Sequence, residues 1–582
     1  MAQSPPGRGR NGGRVLGVNG AFHLTTCALF QGHELLAYGD EERFSRSKRG
    51  KRAAVDNADQ LPTRALDYCL RAAGIGLADV DLIGYSYDPA QRVLLPGDDV
   101  VDGDWGSPSG EAAFQASLAR VPAALSELAG VDVRDRFRYV PHHLCHAASA
   151  YLASPYDNAA VLSVDGIGET TTMLTAHGQG TRMQVLQEIH YPHSLGFLWE
   201  AVSMFLGLDQ YEGPGQLMGL AGFGRPDRYA EQFAKILTVD PDGFRIDDYY
   251  PRFRAAGDRL HELFGPSRRP GEHMTARDAD VAASLQAATE EVLLATAIRL
   301  RIQTGADALC LAGGVALNCV AVGRIAREAG YANLFVQPAA GDDGTSLGAA
   351  LYLLHGELGW PDRWVMEHPY LGQSFSEQAM EQALAATGLT YRREADVAAS
   401  AARLIADGKL VGWFQGAAEA GPRALGNRSI LADPRDPRML ERINLRAGKR
   451  RAPWRPVAPS ALAEAAPAWM DVGPAASLSH GTMNLTYPVR PEQRQRIPAV
   501  VHADGCTRAQ LVTPELNPRY HRLISQVHRL TGVPLVVNTS MNGPGEPIVN
   551  SPEDAVALYR RTEGGLDALV LGDLLVLRQE AR

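Results

Sequence analysis

The sequence predicts an α/β protein of two domains, and three observations carry that expectation. At 582 residues the chain exceeds what one hydrophobic core usually supports. Strand-like apolar runs end in glycine-rich or acidic turns at residues 14–20, 159–170 and 308–318. A punctuated stretch, Leu358-Gly-Trp-Pro-Asp-Arg-Trp364, then sets off a second series of segments. This places one domain over 14–360 and the other over 366–582.

Taken in order, the N-terminal residues 1–13 lack the apolar stretch of a signal peptide and read as a disordered tail. Strands around 14–20, 27–30 and 34–39 form a β-meander. A helix starts at Pro62, whose fixed φ suits a first helical turn, with Leu66, Cys69 and Leu70 on its apolar face. Strands follow at 81–87 and 138–140. A buried-type strand then ends at Asp165-Gly-Ile-Gly168-Glu169, and another stops at Gly313-Gly314 before Asn318. A helix starts near Ser346. In the second domain a strand at 410–416 leads into GPRALGNRSILADPR, then NLRAGKRRAPWRPVAPS, HADGCTR and a late strand into Asn538-Thr539-Ser540. No solenoid-length repeat and no long low-complexity tract occurs.

Composition narrows the function. Hydrophobic residues at 45% and charged residues at 21% are those of an ordinary globular protein. A net charge of -9 argues against a general nucleic-acid binder, which needs clustered Lys and Arg. Six scattered cysteines without a CxxC pair indicate neither a zinc knuckle nor a disulfide framework and fit a reducing cytoplasm. No run of about 18 apolar residues offers a membrane span.

The chemistry-bearing residues fall into two groups. His142 and His146, in VPHHLCHAASAY, lie four apart, so a helix there turns both imidazoles to one face within reach of one metal ion. Asp342, before a glycine-rich turn into a helix, is the best third ligand. An isolated HxxxH is more often a helix-surface pair, so the neighbours decide. Glycines such as Gly313 and Gly314 let backbone amides approach phosphate or carboxyl oxygens, and the strand-end Asp165 suits a metal or a hydroxyl. In the second domain Arg423, Arg428, Lys449, Arg451, Arg455 and Arg508 occupy glycine- and proline-punctuated segments suited to a polyanion pocket, Arg451 being the one most readily read as a solvated loop charge. Asn538 and Ser540 either donate to the same ligand or cap the next turn. The basic run 43–52 reads as a solvated loop or a clamp near the first domain's site.

Taken together, EERFSRSKR, HHLCHAASAY, VDGIGE, LMGLAGFG, LAGGVALN, GDDGTSLGAA, GPRALGNRSILADP, WRPVAPS and NTSMNGPGEPIV resemble the O-carbamoyltransferases of the NodU/CmcH type, in family order from Arg14 to about Leu577. The resemblance implies an N-terminal domain similar to the threonylcarbamoyl-transferase subunit of the actin, sugar-kinase and heat-shock ATPase superfamily, followed by a YrdC-like α/β domain. It implies that His142, His146 and Asp342 bind iron(II) or a similar divalent metal, and that His23 and Asp165 flank the acceptor hydroxyl. His23, His142 and Asp165 are thus the expected catalytic residues. Gly313, Gly314 and Asn318 are expected to contact nucleotide. Arg423, Lys449, Arg455, Met483, Arg508, Asn538 and Ser540 are expected to line the pocket for ATP, with its Mg, and carbamoyl phosphate. The implied chemistry forms carbamoyladenylate in the second domain and transfers the carbamoyl group in the first to a hydroxyl of a natural product: an antibiotic sugar, a macrolide glycoside or a polyketide.

Three positions depart from the family pattern: Leu24 where Asp follows His, Gln216 where Lys precedes Met-Gly-Leu-Ala, and Ala417 where Arg follows Trp-x-Gln-Gly. Two rival readings are a tRNA threonylcarbamoylation protein, which a tRNA gel shift would reveal, and a non-catalytic ATP-binding regulator, which product formation would exclude. The expected partners are small molecules, without nucleic acid or membrane.

Overall fold

A computed structural model describes residues 12–93, 100–240, 243–246, 257–447, 449–473, 478–562 and 564–578. The expected disordered tail lies outside them except for Gly12 and Gly13. The chain divides into two compact units, the first comprising Met1–Ser45 and Arg49–Met366, the second Arg46–Lys48 and Glu367–Arg582.

The first unit opens with β1 (Arg14–Asn19), β2 (Thr26–Gln31), β3 (Glu34–Asp40), β4 (Leu82–Tyr85) and β5 (Phe137–Tyr139). They form one sheet in the order β3-β2-β1-β4-β5, antiparallel through the meander and parallel from β1 to β5. The helix expected at Pro62 runs over Thr63–Ala73, with the proline one place earlier, at the cap. A helix at His142–Tyr151 follows β5.

The pattern then recurs. β6 (Asn158–Val164), β7 (Thr171–Gln179) and β8 (Arg182–His190) make a second antiparallel meander. After a helical insertion with a small hairpin, β9 (Leu237–Asp240) and β10 (Gly243–Ile246), the parallel strands β11 (Ala308–Ala312) and β12 (Asn333–Val336) complete the sheet. Its order, read from one edge, is β8-β7-β6-β11-β12, the same arrangement as the first sheet. A helix at Thr345–Gly356 follows β12 as His142–Tyr151 follows β5. This twice-used topology is the one the resemblance to the actin, sugar-kinase and heat-shock ATPase superfamily implies.

The two terminal helices are exchanged between the repeats. Helix His142–Tyr151 packs on β6, β7 and β11, while Thr345–Gly356 packs on β1, β2 and β4. Two glycines make this possible: a Cβ on Gly17 in β1 would lie 1.8 Å from Ser346 O, and one on Gly348 would lie 1.7 Å from Cys145 O. No side chain fits either contact, so helix meets strand and helix meets helix backbone to backbone. The 29-residue helix Ala276–Thr304 is long and apolar enough to cross a membrane by length and composition alone; 67% of its most apolar window is buried inside this unit.

The second unit is built on one eight-stranded mixed sheet. The strands of this unit are β13 (Tyr391–Arg393), β14 (Val411–Phe414), β15 (Arg428–Ala432), β16 (Ala458–Leu462), β17 (Tyr487–Pro488), β18 (Cys506–Thr507), β19 (Gln510–Val512), β20 (Leu535–Ser540), β21 (Ala568–Leu571) and β22 (Leu574–Leu577). The order is β13-β22-β21-β14-β15-β20-β16-β19, with β17 and β18 forming a separate ribbon. Trp413, Tyr520, Leu523 and Ile524 anchor its core, supplied by β14 and helix Pro518–Thr531. The six cysteines are free.

Candidate functional site

The first unit gathers its chemistry at the ends of topologically equivalent elements. The first turn of helix His142–Tyr151 carries His142 and brings His146 to the same face, both completely buried. Asp165 follows β6, and Asp342 sits in the short turn before helix Thr345–Gly356. His142 Nε2 and His146 Nε2 are 3.1 Å apart. Asp165 Oδ2 lies 3.5 and 3.3 Å from them, and Asp342 Oδ1 lies 3.4 and 3.6 Å. Four donors arranged tetrahedrally at about 2.1 Å from an ion stand about 3.4 Å apart. The spacing therefore suits a small divalent cation.

The hydrogen bonding agrees with that fit. His142 Nδ1 lies 3.1 Å from the carbonyl of Ser86 and donates to it, which leaves Nε2 turned toward the cluster. Burial disfavours charging His142, yet the carboxylates of Asp342 and Asp165 raise its pKa well above the ordinary imidazole value. His146 is raised in the same way against its burial. Burial works against ionising Asp165 and Asp342 as well, and the two imidazoles outweigh it, holding both carboxyls below their ordinary value. His143, between them in sequence, is pushed down by burial and by the charge of His146 and His142, and its Nδ1 lies 3.0 Å from Ser163 Oγ. It faces the core.

Asp165 Oδ2 joins the donor cluster, and its Oδ1 accepts the amide of Gly314 at 2.9 Å. His23, in the loop after β1, places Nδ1 3.3 Å from Asp342 Oδ2 and keeps 22% of its side chain exposed. Asp342 thus divides its oxygens between the cluster and His23. Beside His23, Leu24 stands where the family usually has Asp, in left-handed backbone (φ 51°). Gln216 lies half-buried in helix Gly213–Ala221.

The residues expected to touch nucleotide have local partners. Gly313 adopts φ 90°, and a Cβ there would fall 2.1 Å from Val164 O, so close strand packing already requires glycine. Asn318 caps helix Cys319–Glu328 by accepting Ala321 N–H, and exchanges amide hydrogen bonds with Gln286.

In the second unit the cations separate by environment. Lys449 is buried and donates to Ser540 O, to Ser540 Oγ at 3.0 Å and to Asn542 Oδ1 at 2.5 Å. Burial, then the charges of Arg451 and Arg455, pull its pKa well below the ordinary lysine value. Arg451, expected to be the most solvated, has its pKa lowered to about 9 by burial and by Arg455 and Arg508. Its Nη2 is buried without a hydrogen-bond partner among the described residues. Met483 is buried in left-handed backbone (φ 59°), packed with Leu425 and Ala458.

Other expected ligands have partners within the fold. Arg428 is fully buried, donates to the carbonyls of Gln415, Gly416, Asn427, Asn550 and Gln373, and lies 3.7 Å over the Phe414 ring. It holds the sheet end together, with its guanidinium engaged by backbone carbonyls on every nitrogen. Asn538 donates to Ala424 O, Ser460 Oγ and Gln510 Oε1 in the sheet interior. The loop carrying Arg423 is shaped by Glu419, whose Oε1 accepts the amides of Leu425, Asn427 and Arg428. Ala417, another departure, accepts Asn427 Nδ2 at its carbonyl.

Residue reading left Asp165 open between a metal and a hydroxyl, and it missed the buried partners Glu169 and Glu419. The signal was present: each is an acidic residue in a glycine-rich turn beside a predicted ligand.

Residues 110–351 match the family described as Carbamoyltransferase N-terminus, and residues 402–578 match Carbamoyltransferase C-terminus. The nodulation protein NolNO of Sinorhizobium fredii is 36% identical, covering 97% of this chain and 80% of that protein. An uncharacterized Synechocystis protein, sll1178, is also 36% identical, covering 97% and 96%. The 3'-hydroxymethylcephem-O-carbamoyltransferase of Amycolatopsis lactamdurans is 28% identical, covering 75% and 80%.

Proposed function

The chain belongs to the carbamoyltransferase family, and on that premise we propose that it is an ATP-dependent O-carbamoyltransferase acting on a hydroxyl of a natural product. The observation that carries this reading is the group of mutually repelling cations around Lys449, in which burial and neighbouring positive charge depress the ammonium pKa. A polyanion relieves that repulsion, and ATP with carbamoyl phosphate supplies it.

In the second unit, a water hydrolyses carbamoyl phosphate to carbamate and phosphate; the carbamate oxygen then bonds to the α-phosphorus of ATP, with Mg on the nucleotide, and pyrophosphate leaves. Lys449, Arg423, Arg455 and Arg508 stabilise the phosphoryl charge, while Ser540 and Met483 shape the pocket. In the first unit the acceptor hydroxyl oxygen bonds to the carbamoyl carbon of the adenylate, and the carbon–oxygen bond to AMP breaks. His23 takes the hydroxyl proton at Nε2, because its Nδ1–H points to Asp342. A divalent metal held by His142, His146, Asp165 and Asp342, iron(II) in this reading, supplies Lewis acidity toward the carbonyl when bound.

The test separates the two steps. Lys449→Ala should lose at least about thirtyfold in the pyrophosphate release that requires both ATP and carbamoyl phosphate, about 2 kcal/mol of charge-assisted binding. Carbamoyladenylate added to that variant should restore transfer to the alcohol. Unchanged pyrophosphate release would sink the assignment of Lys449.

A further inference from the structure

Helix His142–Tyr151 begins with a defect. Its capping residue is Pro141, which offers no side-chain acceptor, so the first backbone N–H groups need partners from elsewhere. The partner comes from 27 residues downstream. Glu169, 2% exposed, accepts the amide of His142 at 2.9 Å through Oε1 and at 3.2 Å through Oε2. The same Oε1 accepts the amide of Asp88 at 2.7 Å.

Those two amides belong to segments that set the cluster geometry. Asp88 lies two residues beyond Ser86, whose carbonyl fixes the tautomer of His142. Glu169 itself lies four residues beyond Asp165, in the turn that carries that carboxylate into the cluster. The turn fits tightly against the helix: a Cβ on Gly168 would lie 3.0 Å from His142 Cβ. Arg92 closes the arrangement from behind, donating to Glu169 O at 3.0 Å while pairing with Glu111 at 2.9 Å.

We propose that Glu169 is a positioning residue that clamps the first turn of the His142–Tyr151 helix, the Ser86–Asp88 strand exit and the Asp165 turn into one metal-ready geometry. The inference rests on the metal reading of the His142, His146, Asp165 and Asp342 cluster and adds to it a carboxylate that touches no ligand side chain. Its mechanism is amide acceptance. A neutral acceptor of the same shape should therefore serve nearly as well.

The experiment uses the full chain, cobalt(II) as probe, and Glu169→Ala beside Glu169→Gln. The alanine variant should bind cobalt(II) about 10–100-fold more weakly, with an altered visible d–d spectrum. The glutamine variant should keep the native spectrum and stay within about threefold of wild-type affinity, since its carbonyl oxygen still accepts both amides. Pyrophosphate release dependent on ATP and carbamoyl phosphate should be unchanged in both. Wild-type affinity and spectrum in Glu169→Ala overturn the proposal, and so does a glutamine variant as impaired as the alanine one. Backbone hydrogen exchange at His142 and Asp88 keeps the clamp testable on its own: it should accelerate in Glu169→Ala, and native protection there overturns the proposal too. If wild-type protein binds no cobalt(II) while the amides lose protection in Glu169→Ala, the metal reading fails and the clamp stands.

Discussion

The two units solve the problem of burying charge in opposite ways. Around His142 the first unit sets two imidazoles against two carboxylates, and each sign stabilises the other although all four groups are buried or half-buried. Around Lys449 the second unit collects cations that repel one another. A mixed-sign cluster is at rest without a ligand and exchanges its protons for a metal. A cluster dominated by cations keeps its mutual repulsion until an anion arrives. Under the proposed function these are sites for ligands of opposite charge, separable by experiment.

The strongest way to break the contrast is to remove one imidazole. His146→Ala should take bound divalent metal from one ion per chain to none by elemental analysis, with ATP- and carbamoyl-phosphate-dependent pyrophosphate release intact. Full metal content in that variant would show the cluster to be an ion-pair network only.

Proton linkage sharpens the comparison further. The raised pKa values of His142 and His146 favour proton release on metal uptake, whereas the depressed pKa of Lys449 favours proton uptake when a phosphate group binds. Calorimetry at pH about 7.5 in buffers of different ionisation enthalpy should give proton release for metal and uptake for ATP. Equal signs would undo the distinction. In chelator-treated protein the raised imidazole values stabilise the fold below their ordinary 6.5, and that contribution is lost as pH rises through the folded values. The depressed Asp165 and Asp342 contribute above their ordinary 3.8, and their share is lost as pH falls through the folded values.

The smallest effect concerns strain that the two sites share. Leu24 beside His23 and Arg450 beside Lys449 both hold left-handed backbone, at φ 51° and 43°. Asparagine tolerates that region better, so Leu24→Asn and Arg450→Asn should each raise unfolding stability by about 0.5–1 kcal/mol in denaturant titration. A loss of stability at either position would mean that the side chain outweighs its backbone.

Much of the first unit was legible because strand, glycine turn and helix are local events: the meander at β1 to β3, the HxxxH face and the turn before Thr345–Gly356 all follow from short stretches. The repeat was not legible. It is conserved as strand order and hydrogen-bond direction, while a helical insertion of over a hundred residues between β8 and β11 hides the period. Arg428 and Lys449 looked alike as basic residues in punctuated loops, and only the carbonyls around Arg428 distinguish a structural cation from one pressed by like charge. The acidic, glycine-rich turn of VDGIGE marks Glu169 but not its role, because its partners are backbone amides 27 and 81 residues away.

The exchanged helices make the first unit the single-chain equivalent of a domain-swapped homodimer. Each repeat completes its partner's sheet with its own last helix, and the loops after β1 and β6 and the starts of the two helices meet at equivalent positions. Two identical copies joined this way can offer a ligand on their shared axis only matched pairs of side chains. Fusion into one chain lifts that restriction. One repeat has been free to contribute His23, His142 and His146 while the other contributes Asp165 and Asp342. The unequal, two-signed cluster is one that covalent linkage permits between halves of equal topology.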